Sequence, residues 1–364
     1  MYIVNFAVRR YNKEDKMKAK VSRRIRMQEH LGIDTVKEGK RFFSTIGFLY
    51  LAGSVIIWIV QDLTIGMVHY MKPELLQNNT LFMMLPMLSM YILGMPMLIF
   101  LVSRMKTEKK IAVHKMSVGK LIMAAIMCYG IMYAGNLAGN FLTMLIGLFK
   151  GSAVTNEVAS MVAGNAQWAV FFLTVLCAPV YEEVIFRKLI IDRAVVYGEG
   201  TAVVLSGIMF GLFHGNLNQF AYAFFLGLFL AFIYVKTGRL RYTVILHMAV
   251  NFVGSVVSVW ILNASRFSEL PGATSLLQTN VAEGMAKIRE LMPGIVLITL
   301  YSLAVIGTAA AGITLLIAYR KSFRLLPGEK MIPQGRRFAV VALNAGMLLF
   351  TAFWLIQMVM QLMA

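Results

Sequence analysis

Long runs of apolar residues, separated by short charged segments, dominate this chain. Runs of about 17 to 25 apolar residues are long enough to cross the hydrocarbon of a bilayer as α-helices. Nine runs predict nine helices, of which the fifth is short for a full crossing. They lie near 43–61, 81–103, 120–149, 167–186, 201–214, 219–235, 242–262, 292–319 and 338–363. The pattern predicts an all-α, polytopic membrane bundle of about nine transmembrane helices, or eight if the fifth is not a full span.

Composition agrees with lipid as the main surroundings of the chain. Its 364 residues are 59% hydrophobic and 14% charged, which is more apolar surface than a soluble core hides. The formal net charge of +18 does not indicate nucleic acid, because the basic residues cluster between apolar runs. Both cysteines, Cys128 and Cys177, lie inside apolar runs, so neither a disulfide framework nor a cysteine metal site is expected.

Basic residues also predict the orientation of the chain. Residues 1–42 contain twelve Lys or Arg, while 104–120 and 320–337 contain six each and 66–80 contain only Lys72. Positive loops favour the cytoplasmic side. We therefore expect a cytoplasmic N-terminus and an outer C-terminus in a bacterial plasma membrane. The cytoplasmic loops would be the 104–120 loop, the segment 187–193, the turn 236–241 and the 320–337 loop.

The chain divides into an arm and one membrane domain. Residues 1–42 mix charges of both signs and predict a basic, amphipathic cytoplasmic arm. Residues 43–364 read as a single transmembrane domain. No internal repeat of the inverted kind that marks many transporters is apparent.

Ionisable residues inside apolar spans point to function because a charge in hydrocarbon is costly. Glu182 and Glu183 interrupt the fourth span, where Glu183 and Arg187 share a helical face and can pair. Glu182 is rotated by about 100° from Glu183, so it can face a cavity. Pro179 lacks a backbone donor and should leave the carbonyl of Val175 unpaired. The alternative is a helix end whose charges reach the headgroups.

Two histidines lie within spans, each with a partner four residues away. Phe210 precedes His214, and Asn251 follows His247, so each pair shares a helical face. Either site alone is also typical of hydrogen bonding between membrane helices. Glu182, His214 and His247 each lie on a different span, so they can meet inside a bundle. About thirteen residues of helix, roughly 20 Å, separate His214 from residue 201. The pattern therefore predicts a deep His214, whereas it predicts Glu182 and His247 near the cytoplasmic ends of their helices.

These side chains suit hydrolysis of a peptide bond. A buried Glu182 can act as a general base, with His214 helping to orient a water. His247 and the amide of Asn251 can stabilise the oxyanion that forms. Glu182, His214 and His247 can instead supply three zinc ligands with water as the fourth, so a zinc site stays open as an alternative.

The three motifs together resemble those of a known family. They are Glu-Glu-x-x-x-Arg at 182–187, Phe-x-x-x-His at 210–214 and His-x-x-x-Asn at 247–251. In this order they resemble the CPBP family of intramembrane endopeptidases, which includes CAAX-type and bacteriocin-processing proteases, over about residues 167–257. The likeness implies a catalytic core in this segment and a peptide or membrane-protein substrate.

The resemblance also implies roles for individual residues. It implies Glu182 and His214 as activators of water, and His247 and Asn251 as oxyanion stabilisers. The supporting residues would be Glu183, Arg187 and Phe210. Because each helix offers only one candidate ligand, we favour a glutamate-type protease that requires no cofactor over a zinc metalloprotease.

Two other functions fit the same residues. Buried Glu, His and Arg side chains also form proton relays, so a proton-coupled transporter is one alternative. A non-catalytic membrane scaffold or immunity protein that keeps the fold is the other.

Overall fold

The computed structural model describes the backbone of residues 2–154 and 156–363, and side chains in these ranges from residue 34 onward except 157 and 158. The helices, some of which contain π-helical turns, are numbered here in chain order. They are α1 (Tyr2–Met71), α2 (Asn79–Ser103), α3 (Val118–Lys150), α4 (Glu157–Gly164), α5 (Gln167–Tyr197), α6 (Glu199–Phe213), α7 (Leu217–Thr237), α8 (Leu240–Ser265), α9 (Leu270–Thr279), α10 (Val281–Ala318), α11 (Arg337–Val341) and α12 (Ala345–Met363).

The predicted polytopic helical bundle is confirmed. Eight helices in the described part of the chain are long and apolar enough to cross a membrane, and α6 is the short fifth. Several boundaries were wrong. Helix α5 extends to Tyr197 rather than residue 186, and α10 begins at Val281 rather than residue 292. Residues 263–291, between two of the predicted spans, are therefore mostly helical, and α12 begins at Ala345 after the separate short helix α11.

The N-terminal arm and the first span share one helix. The backbone of α1 is helical from Tyr2 to Met71, and its apolar part covers Asp34–Met71. Side chains before residue 34 lie outside the described part, so the amphipathic character of the arm stays a prediction.

Segments predicted to share one side of the membrane meet at one end of the bundle, here called the basic end. Lys330 Nζ lies 2.6 Å from a carboxylate oxygen of Glu38 and 2.5 Å from one of Glu108. Arg193 Nε donates to the carbonyl of Met105 over 3.1 Å. The end of the arm, the 104–120 loop, the end of α5 and the 320–337 loop are thereby joined.

The turn between α7 and α8 belongs to the same end. Glu199 Oε2 accepts from Lys236 Nζ at 2.5 Å and from the backbone N–H of Leu326 at 2.7 Å. At the opposite end, Lys150 Nζ donates to the carbonyl of Leu362 over 3.0 Å. The grouping of loops agrees with the pattern of basic residues, while assignment of the basic end to the cytoplasm stays a prediction.

Burial distinguishes the central helices from the peripheral ones. Half of the most apolar stretch of α5 is buried inside the protein and 61% of that of α7, against 6% for α10. Helix α10 therefore faces mainly lipid, whereas α5 and α7 are surrounded by protein. Polar side chains on α5 can find protein partners that lipid would not supply.

Helices α1 and α12 approach each other through glycines. A Cβ atom added at Gly47 would overlap the backbone of Gly346 and Met347, whereas one at Gly66 of the same helix would meet nothing within 4 Å. Small residues allow such backbone contact, which supplies packing where lipid removes the hydrophobic driving force between helices. This contact joins the last span to the first.

We expect Gly47→Ala to lower the unfolding free energy by about 1 to 3 kcal/mol, because the added methyl forces α1 and α12 apart. The matched variant Gly66→Ala should be neutral or slightly stabilising, since alanine is the better helix former. Thermal unfolding in detergent measures both. Equal behaviour of the two variants would contradict the close α1–α12 contact.

Candidate active site

Helix α5 departs from regular α-helical geometry on both sides of its acidic pair. Phe171–Cys177 and Glu183–Leu189 are π-helical, and only Ala178–Glu182 between them is α-helical. The N–H of Ala178 donates to the carbonyl of Leu173, five residues back. In this register the N–H of residue 179 would donate to the carbonyl of Thr174, but Pro179 has no N–H. The predicted unpaired carbonyl at Val175 was therefore wrong by one residue, because a π turn shifts each acceptor by one position.

Asn251 of α8 fills the missing hydrogen bond. Its Nδ2 donates to the Thr174 carbonyl over 2.8 Å. Ser255, one turn further along α8, places its hydroxyl 3.2 Å from that of Thr174 and donates to the Asn251 carbonyl over 2.6 Å. The proline of α5 and the asparagine of α8 thus fix the two helices at one depth.

A buried ion group lies one to two turns from this contact. The carboxylate of Glu183 is 3.0 Å from Arg187 Nε and, through its other oxygen, 3.0 Å from His247 Nδ1. The side chains of Glu183 and Arg187 are fully buried. Arg187 also donates to the Ser206 hydroxyl at 3.2 Å and lies 4.4 Å above the ring of Phe210. Helices α5, α6 and α8 meet at this group.

Glu182 faces a different direction from its neighbour. Its Oε2 lies 3.6 Å from His247 Nε2, and 16% of its side chain is exposed while Glu183 has no exposure. The single imidazole of His247 therefore lies between the two carboxylates. Since Nδ1 faces Glu183, Nε2 is the nitrogen that faces Glu182.

His214 lies on the other side of Phe210. Its ring centroid is 4.9 Å from that of Phe210, which in turn is 5.7 Å from the ring of His247, both edge to face. His214 Nδ1 is 2.9 Å from the carbonyl of Phe210. A carbonyl only accepts, so Nδ1 carries the proton and Nε2 is free to accept one from water.

The depths of the site residues agree once α5 is given its full length. Glu182 lies fifteen residues from each end of α5, at the middle of that helix, rather than near a cytoplasmic end. His214 directly follows α6, whose fifteen residues span about 22 Å from Glu199. His214 therefore lies about as deep as Glu182. The expected conflict between their depths came from ending α5 eleven residues too early.

Several residues of the site have no motif that reveals them. Thr174, Ser206 and Ser255 are small polar residues in apolar runs, and such residues occur throughout membrane helices. Of these three, only Thr174 could have been identified from the sequence, because it lies five residues before Pro179. Using that signal requires knowing that the helix is π-helical there.

A three-ligand zinc site needs its side chains to converge on one point. In the ranges that the structure describes, no three His, Cys, Asp or Glu side chains converge closely enough to hold a metal ion. His247 and His214 each have Nδ1 engaged, as in the outer shell of many zinc sites, so Nε2 is the remaining nitrogen of each ring. We therefore describe the site through its protein groups.

Known proteins share the segment that contains this site. Residues 164–253 match the family described as "Type II CAAX prenyl endopeptidase Rce1-like". The chain is also 25% identical over 142 residues to "Putative membrane peptidase YdiL" of Bacillus subtilis (strain 168). That alignment covers 38% of this chain and 57% of the relative, a little over half of its length. No solved structure matches the chain significantly.

Fold and site define a polytopic helical membrane protein with a glutamate–histidine centre between its helices. Both comparisons agree with the family that the motifs indicate: residues 164–253, a quarter of the chain, resemble the CAAX-protease type of the CPBP family.

The contact between Asn251 and Thr174 leads to a double-variant test. We expect Asn251→Leu to lower the unfolding free energy by about 1 to 3 kcal/mol, because a partly buried carbonyl at membrane depth loses its partner. In a Pro179→Ala background, the new N–H of residue 179 can pair with Thr174, so Asn251→Leu should cost less. Thermal unfolding of the four proteins in detergent measures the coupling.

A matched control is Asn140→Leu, which changes an exposed asparagine of α3 and should leave stability nearly unchanged. If Asn251→Leu costs the same with and without Pro179, the amide does not replace the donor that proline lacks.

Proposed function

We propose that this chain is an intramembrane endopeptidase of the glutamate type that hydrolyses a peptide bond with activated water. One observation carries the proposal: the His247 imidazole lies between Glu183 and Glu182 at the middle of α5. A structural ion pair needs only Glu183 and Arg187. A second carboxylate, partly exposed and 3.6 Å from the same imidazole, has no such structural partner and is available for chemistry.

The proposed first step uses Glu182 and His214. Glu182 takes a proton from a water that His214 Nε2 orients, and the water oxygen forms a bond to the carbonyl carbon of the substrate. The carbonyl π electrons move to its oxygen, which becomes an oxyanion. Glu182 then returns the proton to the amide nitrogen as the C–N bond breaks, releasing a carboxylic acid and an amine.

The oxyanion is stabilised by His247 and Asn251 in this proposal. Asn251 uses one amide N–H on Thr174 and has a second to donate. His247 donates from Nε2 only when both of its ring nitrogens carry protons, since Nδ1 faces the Glu183 carboxylate. Glu183 and Arg187 thus hold His247 in place and balance its charge when it is an imidazolium. Their role is positioning rather than contact with the substrate.

The substrate and orientation follow from the relatives and the charge pattern. The matched family is described by its action on prenyl CAAX substrates, so we propose a peptide or membrane protein cleaved at membrane depth. The basic end would lie in the cytoplasm of a bacterium, with the C-terminus outside.

The central test is Glu182→Gln. Removing a general base costs about 10²- to 10⁴-fold in rate, so we expect cleavage to fall by that factor. The probes are an internally quenched farnesylated CAAX peptide and a mixture of proteome-derived peptides read by mass spectrometry, both with protein in proteoliposomes. Glu74→Gln, which changes an exposed carboxylate outside the site, is the matched control.

Cleavage that persists in folded Glu182→Gln protein would overturn the assignment of the base. Absence of cleavage in the wild-type protein, together with pH-dependent flux in sealed vesicles, would favour a transporter instead.

A second test concerns zinc. We expect cleavage to survive dialysis against a zinc chelator, because the side chains do not surround a common metal position. Elemental analysis of the dialysed protein establishes that zinc is gone. Loss of cleavage on chelation and its return with Zn²⁺ alone would contradict the metal-free proposal and favour a metalloprotease.

A further inference from the structure

Three segments at the basic end carry cations and contain no acidic residue. They are residues 112–121, which include the start of α3, residues 237–245, which include the start of α8, and residues 315–326, which include the end of α10. Together they hold seven lysines and arginines, here called the cation patch: Lys115, Lys120, Arg239, Arg241, Arg320, Lys321 and Arg324.

Hydrogen bonds join the first two of these segments. The backbone N–H of Met116 donates to the Tyr242 hydroxyl over 3.0 Å, and Arg241 lies over the ring of the same tyrosine. The Nη2 of Arg241 is 3.3 Å from that hydroxyl. The backbone N–H of His114 donates to the carbonyl of Thr237 over 2.9 Å. The lysine between His114 and Met116 therefore lies beside the start of α8.

Helix packing brings the third segment to the same place. Because α3 leaves the basic end and α10 returns to it, the two helices run antiparallel. A Cβ atom added at Gly312 of α10 would overlap the carbonyl of Ile126 on α3, so the helix backbones touch there. About two turns beyond this contact, toward the basic end, α10 reaches Arg320 and α3 reaches Lys120. These two cations therefore lie at one level on neighbouring helices.

The last part of the third segment packs on α7, next to the second segment. The ring centroid of Phe323 is 5.1 Å from that of Phe232, which lies five residues before Thr237. Phe323 also packs against the same small buried cluster that includes Tyr242 and is contacted by Met116. The three segments thus form one continuous surface.

This surface differs from the rest of the basic end in its lack of carboxylates. Elsewhere at this end cations and carboxylates are paired: Lys109 with Glu329, Lys236 with Glu199, and Lys330 with Glu38 and Glu108. Among the side chains that the structure describes, no member of the cation patch has an ion-pair partner.

Arg239 adds a second observation. Its Nε is buried and, within the described ranges, has no hydrogen-bond acceptor. A buried donor without an acceptor is costly, and a guanidinium is well suited to bind the oxygens of a phosphate. Arg239 therefore has the properties of a side chain that binds an anion.

Below the cations, toward the middle of the bundle, exposed apolar side chains continue the surface. Ile122 of α3, Ile245 of α8 and Ile317 of α10 are 47 to 58% exposed. Each lies within four residues of a patch cation on its own helix. A soluble anion gains nothing from apolar contacts, whereas a phospholipid offers phosphate to the cations and acyl chains to the isoleucines. The two halves of the surface together fit a lipid.

We propose that the cation patch binds the headgroup of an anionic phospholipid, whose acyl chains lie along Ile122, Ile245 and Ile317. Basic pockets between membrane helices bind such headgroups in other proteins. Helix α8 begins at this patch and carries His247 seven residues after Leu240, so a bound lipid would hold one helix of the site in place. The inference concerns lipid binding and stability, so it does not depend on the proposed function.

The test compares phosphatidylglycerol with phosphatidylcholine of the same acyl chains. Native mass spectrometry of the full chain in a non-ionic detergent measures both affinities, and thermal unfolding with each lipid is the second readout. One cation beside anionic lipid contributes about fivefold in affinity. We expect phosphatidylglycerol to bind roughly tenfold tighter or more, and the double variant Arg239→Gln with Arg241→Gln to weaken it about 25-fold.

A second patch variant and a charge-matched control complete the design. Lys115→Gln with Lys120→Gln changes two exposed side chains that leave Tyr242 untouched, and it should weaken phosphatidylglycerol by a similar factor. Arg104→Gln with Lys106→Gln removes the same charge from exposed positions of the basic end outside the patch. Because salt screens distant charges, this control should weaken binding less than about twofold.

The outcomes are distinct. A loss confined to the two patch variants, with phosphatidylcholine binding unchanged, supports the proposal. Equal affinity of the wild type for both lipids overturns it, and so does an equal loss in the Arg104 and Lys106 control, which would show that the charge acts diffusely. Stabilisation by inorganic phosphate alone that matches phosphatidylglycerol would identify a soluble anion and overturn the assignment to lipid. None of these results bears on hydrolysis at Glu182.

Discussion

The buried contact of Glu183 with Arg187 and His247 is the constraint on which the rest of the site depends. Two full charges without solvent exposure are costly to desolvate, and the cost is offset only when each charge has close partners. Here the partners come from three helices: Glu183 and Arg187 from α5, Ser206 and Phe210 from α6, and His247 from α8. A shift of α6 or α8 along α5 would remove the contacts of Ser206, Phe210 or His247 with this buried pair. The ion group therefore fixes the relative depths of these helices.

That constraint explains why two adjacent glutamates can differ in role. Glu183 is fully buried, with Arg187 beside one carboxylate oxygen and the His247 imidazole beside the other, so both of its oxygens already have partners. Glu182 is turned by about 100° along the same helix and keeps partial exposure. Because Glu183 also takes His247 Nδ1, the orientation of the imidazole is set, and Nε2 faces Glu182. The geometry of one helical turn thus gives the two neighbouring glutamates different surroundings: Glu183 is paired in the interior, and Glu182 is partly exposed.

Sequence predicted the class of fold and singled out the residues that the structure brings together around His247, because both depend on strong local signals. Long apolar runs give spans, and charges within them are rare enough for Glu182, Glu183 and Arg187 to stand out. The length of α5 was missed because Arg187, Lys188 and Arg193 resemble a helix end at the headgroups, although two of the three are buried against other helices. The unpaired carbonyl was placed at Val175 instead of Thr174, because π turns leave no mark in periodicity. Such features depend on tertiary packing, which hydropathy does not contain.

The depth of His214 links these findings. A histidine that must reach the middle of α5 from the basic end needs a helix of about fifteen residues, which α6 supplies, and the chain must then reverse inside the bundle. Reversal at that depth exposes carbonyl and N–H groups that lipid cannot satisfy. Asn216 satisfies two of them, the His214 carbonyl and the Gln219 N–H, which places a polar side chain beside His214. The same requirement that brings His214 to the depth of Glu182 therefore also places an ordered chain of polar side chains, Asn216 to Gln219 to Tyr222, after His214.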